Sequence, residues 1–452
     1  MLDIHITIFD YAIAAFYFAV IFFIAFYYQI AKIKEHEEYI YFTPGLIVKI
    51  FGGLLITFIY LFYYHGGDTL SYFHSAKALS NLFFKNPRVY FSILSGHLTP
   101  ENWSYFDANT GFPIYYRDHW AFSVVRITSI FLFFTAKSLL GTVVLLSTIL
   151  YTGIWKLFRF LYKEFPQLKN QIAIAVLFFP SVIFWGSGIL KDSYTLTASA
   201  FSFMALYSII VYKRKIWINL FILFIAAYIM LSMKPYIFFV QFAVFMIVLV
   251  HIQIKKVKSM FLRFIVFPIV IIGIFVIGII IFSSLGEISG RFYSSLNDLL
   301  ITASVKQNDL TQAYYGGNSF NIGYFEPTPQ GVLSKFFPAV NAGIFRPYLW
   351  ESNNIVMLMS GVETFFLLLF SLWVFMNLLR VLLFRGFRWI IHFFFSHPLV
   401  VYSLFFSIFF AFTVGLTTAN FGALVRYKIP FLPYFLLLLF ILNYYIKKAD
   451  IV

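Results

Sequence analysis

The chain has 452 residues, 61% of them hydrophobic and only 11% charged, with a formal net charge of +15. A soluble domain carries about 25% charged residues, so a water-facing surface of ordinary composition is excluded. With no cysteine in the chain, disulfides, thiolate metal centres and cysteine nucleophiles are excluded too.

The first apolar run, about 8–29, is long enough to cross a bilayer, which takes about 20 apolar residues. The opening MLDIHITIFD is acidic, lacks a basic n-region and runs straight into that span, so no cleavable signal peptide is expected. The run ends in the charged turn Lys32-Ile33-Lys34-Glu35-His36-Glu37-Glu38. A second run, about 43–64, ends in His65-Gly66-Gly67-Asp68. A mixed stretch rich in aromatics, Asn, Pro and charge follows over about 65–137, and within it Lys77–Gly96 predicts a surface-lying helix pair broken at Pro87. Later runs fall near 139–160, 171–188, 194–212, 216–232, 236–254, 262–284, 356–380, 397–418 and 429–446, making about eleven spans. A second long polar stretch occupies about 285–355. The apolar runs are continuous rather than alternating, which argues against a β-barrel. These features predict one all-α polytopic bundle over 1–452, with two large extracytoplasmic loops, 65–137 and 285–355, carrying interfacial helices.

Charge sets the expected orientation. With the 32–38 turn in the cytoplasm, the basic turns at Lys156/Arg159/Lys163/Lys169, Lys213-Arg214-Lys215, Lys255/Lys256/Lys258/Arg263, Arg380/Arg385/Arg388 and Lys447-Lys448 fall on the same side. The two polar loops and the turns at Lys191-Asp192, Lys234-Pro235 and 419–428 fall outside, provided that 120–137 lies at the interface. The N-terminus is then outside and the C-terminus cytoplasmic. The same clustering explains the net positive charge without nucleic acid as a partner.

Candidate chemistry collects on the outer side. Asp68 follows a span directly, with Tyr72 and His74 close behind on the next helix. A carboxylate there can serve as a general base, or it can cap a helix beginning at Thr69. His65 and Asp68 alone are too few for a metal site. Lys191 is a point charge suited to phosphate, and Lys191-Asp192 also fits a boundary salt pair anchoring helices. Arg426 precedes the last span, where a guanidinium can fork onto phosphate oxygens or snorkel to headgroups. Lys234, Arg346 and Glu351 are weaker candidates, and Glu363 is an intramembrane carboxylate that also fits a structural hydrogen bond. The chain carries no P-loop and no dinucleotide fingerprint, so a transferase here would need a lipid-borne donor.

The stretch His65-Gly66-Gly67-Asp68-Thr69-Leu70-Ser71-Tyr72, the later Gly188-Ile189-Leu190-Lys191-Asp192-Ser193 and the closing Arg426-Tyr427-Lys428-Ile429-Pro430…Pro433 together resemble the GT-C class of polyprenyl-phosphate-dependent glycosyltransferases. The last segment is also similar to that of related polysaccharide polymerases. The chain differs by an extra span ahead of the one that precedes Asp68, and by lacking a paired acidic dipeptide. The resemblance implies a GT-C-like bundle in a bacterial cytoplasmic membrane and an inverting sugar transfer, without a nucleotide cofactor, to a glycan, lipid or protein acceptor. It casts Asp68 as base, Asp192 or Asp118 as acceptor-orienting groups, and Lys191, Arg426 and Arg346 as holders of the departing phosphate. Some members use a divalent metal, and nothing in this sequence fixes that. An O-antigen or exopolysaccharide polymerase, a lipid-linked glycan transporter and a non-catalytic assembly subunit are the other readings. No internal repeat, the usual mark of a transporter, stands out.

Overall fold

The computed structural model describes residues 5–259, 262–263, 265–270, 273, 301, 305 and 319–450. Most of the span expected at 262–284, and all but 301 and 305 of the 285–355 loop up to 318, lie outside the described residues. The described residues are helical and form no strand, their one isolated bridge joining Ser319 to Asn420. Among them, nine helices are long and apolar enough to cross a membrane. The chain divides into two compact units, Met1–Leu206 with Lys215–Phe238, and Tyr207–Arg214 with Phe239–Val452.

The first unit opens with α1 (Ile8–Ile33). Thr7 and Asp10 form a capping box at its start, and Asp10 Oδ1 also accepts from the Leu139 amide at 2.9 Å. One residue thereby satisfies orphan amides of two helices. α2 (Phe42–Phe58) runs on as a π-turn through Tyr63. The expected broken helix pair is present as α3 (Asp68–Lys85) and α4 (Pro87–Leu94), with Asn86 capping the second. Pro87 supplies the break, because proline suits the first turn of a helix and not its interior. The short α5 (Pro100–Trp103) is followed by α6 (His119–Phe134), which packs against α3. Its 16 residues rise only about 24 Å, against a hydrocarbon core of about 30 Å. α7 (Leu139–Glu164) packs on both α1 and α2.

The segment 171–188 is not one continuous helix. α8 (Lys169–Ala173) passes into a π-turn ending at Phe178, Phe179 is extended, and α9 (Pro180–Trp185) starts afresh. Proline has no amide hydrogen and disfavours helical backbone in the residue before it, so Pro180 splits an otherwise apolar run. Gly186–Leu190 then forms an irregular turn ahead of α10 (Lys191–Tyr207). α11 (Ile216–Met233) closes the unit.

Ion pairs identify one end of this unit. Arg159 bonds Glu38 at 3.0 Å and Lys169 bonds Glu37 at 2.8 Å, so the 32–38 turn and the basic end of α7 lie together.

The second unit holds α12 (Pro235–Ile254), of which it takes the part from Phe239, then α13 (Pro329–Ser334), α14 (Phe336–Phe345), α15 (Ile355–Arg385), α16 (Phe387–Phe394), α17 (Pro398–Thr417), α18 (Phe421–Tyr427) and α19 (Leu432–Asp450). Its tightest pairing is α14 on α17, where Ala339 and Gly343 meet Ala411 and Gly415. A Cβ on either glycine would run into a carbonyl of the opposite helix. Small residues four apart let two apolar helices approach backbone to backbone, which compensates for the weak hydrophobic drive inside lipid. Lys255 reaches Ser396 O at 3.1 Å and Arg385 reaches Ala449 O at 2.7 Å, so three of the basic turns share one end of this unit.

Candidate functional site

The first unit gathers five of the predicted site residues around the junctions that follow α2 and precede α6 and α10. The geometry begins with Gly67, whose φ of +112° lies in the region that favours glycine. A Cβ there would also sit 2.5 Å from the Tyr60 ring, so a side chain is refused on two grounds. Gly67 caps α3, and Asp68 is its first helical residue. A cap role for Asp68 itself, with the helix beginning at Thr69, is therefore not what is observed. A carboxylate in a first turn is favoured by the helix dipole.

Asp68 is half-buried, and its Oδ1 accepts a hydrogen bond from the Tyr115 hydroxyl at 3.1 Å. Tyr115 stands in the return loop, and its ring lies 5.1 Å from that of Tyr72, one turn along α3. Tyr72 is 2% exposed, so it backs Tyr115 rather than facing an open cavity. Burial, and then the Asp68 charge, push the Tyr115 phenol up to about 12, with Asp118 adding in the same direction. It is a neutral hydrogen-bond donor throughout the physiological range.

Asp118 caps α6 with Oδ1, accepting from Trp120 N and Ala121 N at 2.9 and 3.0 Å. Its other oxygen lies 3.8 Å from Lys191 Nζ. Thr69 Oγ1 donates to Ile189 O at 3.3 Å, holding the start of α3 against the turn that leads into α10. That turn is fixed from below: Gly188 has φ +76°, its amide donates to Ser147 Oγ at 3.3 Å, and the buried Lys49 ammonium donates to Gly186 O.

Asp192 and Lys234 behave differently from their neighbours. Their charges pair at 2.5 Å with side-chain exposures of 1% and 7%. Each meets the other inside the unit, anchoring the start of α10 to the corner between α11 and α12. Asp68, Tyr115 and Lys191 are half-buried and Asp118 is exposed. His74 lies six residues beyond Asp68, about 240° around α3, and so on another face. Among the described residues, no three His, Cys, Asp or Glu side chains converge as a metal site.

The second unit holds Arg346 and Arg426. Arg346 pairs with Glu351 at 3.2 Å, donates to Asn321 O at 3.5 Å, and lies over the rings of Phe320 and Tyr348. Arg426 is half-buried in the last turn of α18. Lys428 is fully buried and donates to Arg346 O at 3.1 Å. Burial pushes its ammonium down to about 8 against the opposing pull of Glu363.

Sequence reasoning gave no role to Tyr115, Lys49 or Lys428. Tyr115 carries no signal, being one of 31 tyrosines in an irregular loop. Lys49 does: it is the only charge inside the run at 43–64, and an ionisable group at that depth needs a partner. Lys428 is two residues from Arg426, so the two charges cannot share a helix face.

No protein-family model matches the chain, and no curated protein or solved structure shows significant similarity to it.

Proposed function

We propose that this protein is a membrane glycosyltransferase that moves a sugar from a polyprenyl-phosphate-linked donor to an acceptor hydroxyl at the outer face of a bacterial cytoplasmic membrane. One observation carries the reading: a half-buried carboxylate, Asp68, stands directly after a span, hydrogen-bonded by Tyr115 and close to the Lys191–Asp118 pair. Ionisable groups at a membrane boundary are costly and tend to be functional.

In this reading the acceptor oxygen attacks the anomeric carbon while its proton passes to Asp68. The bond from that carbon to the phosphate oxygen breaks, and the polyprenyl phosphate leaves with the electron pair. Lys191 favours the departing negative charge. Asp118 orients the acceptor. The proposed GT-C-like topology counts 171–188 as a broken crossing and adds the apolar run that the sequence offers at 262–284, giving eleven, with the N-terminus outside and the C-terminus cytoplasmic. A broken helix at membrane depth is tolerated where protein encloses it, and the contacts of Gly186 and Gly188 with α2 and α7 supply that enclosure.

Purified protein in proteoliposomes, offered a panel of labelled polyprenyl-phosphate sugars and a mixed acceptor extract, tests the reading. The expected result is a new glycosidic product together with free polyprenyl phosphate. Movement of intact lipid-linked sugar across the bilayer with no bond broken would favour a transporter instead.

A further inference from the structure

The Asp68 carboxylate owes its placement to another segment. Tyr115 lies 47 residues away in sequence, yet its hydroxyl sits 3.1 Å from Asp68 Oδ1. The loop that delivers it is laid along α3: the Ile114 amide donates to Ser75 Oγ at 3.0 Å, and Asn81 Nδ2 donates to Thr110 O at 3.1 Å. The Tyr72 ring closes one side of the phenol. The neighbouring tyrosine faces elsewhere, with the Tyr116 hydroxyl donating to Thr99 O at 2.9 Å within its own loop.

We propose that Tyr115 is a positioning residue for Asp68, its hydroxyl holding the carboxylate in the orientation in which it meets the acceptor proton. This rests on the reading of Asp68 as the base. The hydrogen bond selects one rotamer of a short side chain at the start of a helix. The phenol is well suited because burial and the Asp68 charge keep it protonated, and so a donor, across the physiological range.

The test compares Tyr115→Phe, Tyr116→Phe and Asp68→Asn in the full-length protein in nanodiscs. Product formation is followed against donor and acceptor concentration. The expected result for Tyr115→Phe is a loss of roughly tenfold or more in kcat, with KM for the donor little changed. Tyr116→Phe should leave kcat in place, whatever it does to stability. An inactive Asp68→Asn with an unchanged kcat in Tyr115→Phe would overturn the positioning role alone. Full activity in Asp68→Asn would overturn the base reading, and the role of Tyr115 with it.

Discussion

Lys234 Nζ lies 2.5 Å from Asp192 Oδ1 across 42 residues of chain, with almost none of either side chain exposed. Removing one partner of such a pair leaves a buried charge uncompensated, which costs about 3–5 kcal/mol, whereas replacing both with apolar groups of similar size is often neutral. Lys234→Met and Asp192→Asn should each lower the thermal midpoint in detergent sharply. The double variant Lys234→Met/Asp192→Leu should recover much of that loss. Equal midpoints for the single and double variants would contradict the assignment.

The α14–α17 contact predicts intolerance of any side chain at two glycines. A Cβ on Gly343 or Gly415 meets the facing backbone, and backbone cannot move aside as a flexible side chain does. Gly415→Val should cost at least about 1–3 kcal/mol, as overpacking does, and should be seen as early loss of the monodisperse peak on heating. Gly386, where an added Cβ meets nothing, is the steric control. Its φ of +71° with ψ of 176° is a conformation that essentially only glycine adopts, so Gly386→Ala reports backbone strain without a clash.

Acid sensitivity should be local to the 99–116 loop. Lys85 pairs with Asp107 at 2.8 Å, and that hydrogen bond, with those from Thr110, holds the Asp107 carboxyl down to about 2. A depressed acid contributes stability above its unfolded value, near 4, and loses it as pH falls from there towards about 2. Hydrogen exchange in this loop should therefore rise over that interval. Lys85→Met should raise the exchange already at neutral pH and flatten its dependence on acid.

Lys428 predicts a rise of stability with pH at the alkaline end as well. Its ammonium is pushed down to about 8 by burial, below the ordinary lysine value. Between about 8 and about 10.4 the unfolded chain binds the proton that the folded chain has released, so stability rises with pH across that window. The thermal midpoint should climb there in the parent protein and stay flat in Lys428→Met.

Much of the fold was legible because lipid imposes simple rules. A run of about 20 apolar residues reads as a span, and basic turns mark one side. The contacts of Glu37 and Glu38 with Lys169 and Arg159 fit that pattern. The break at Pro87 was legible for the same kind of reason. Pro180 sent the same signal, but the apolar residues on either side of it hid the break. The predicted cluster was legible in part. Asp68 and Lys191 were found by their positions at helix ends and Asp118 through the family resemblance, whereas the enclosure of Lys234 with Asp192 depends on tertiary packing between α10 and the α11–α12 corner. Tyr115 was not legible at all, because its hydrogen bond joins a loop to a helix across 47 residues and no local spacing announces it.

The central claim is that Asp68 takes the acceptor's proton. The most direct measurement is transfer of labelled sugar from a polyprenyl-phosphate donor by matched amounts of folded wild-type protein and Asp68→Asn in the same proteoliposomes. Asparagine keeps the shape and can still accept the Tyr115 hydrogen bond, but it cannot take a proton. Product formation should fall by at least about 100-fold, the usual contribution of general-base catalysis, with donor binding retained. Unchanged product formation in Asp68→Asn would contradict the account.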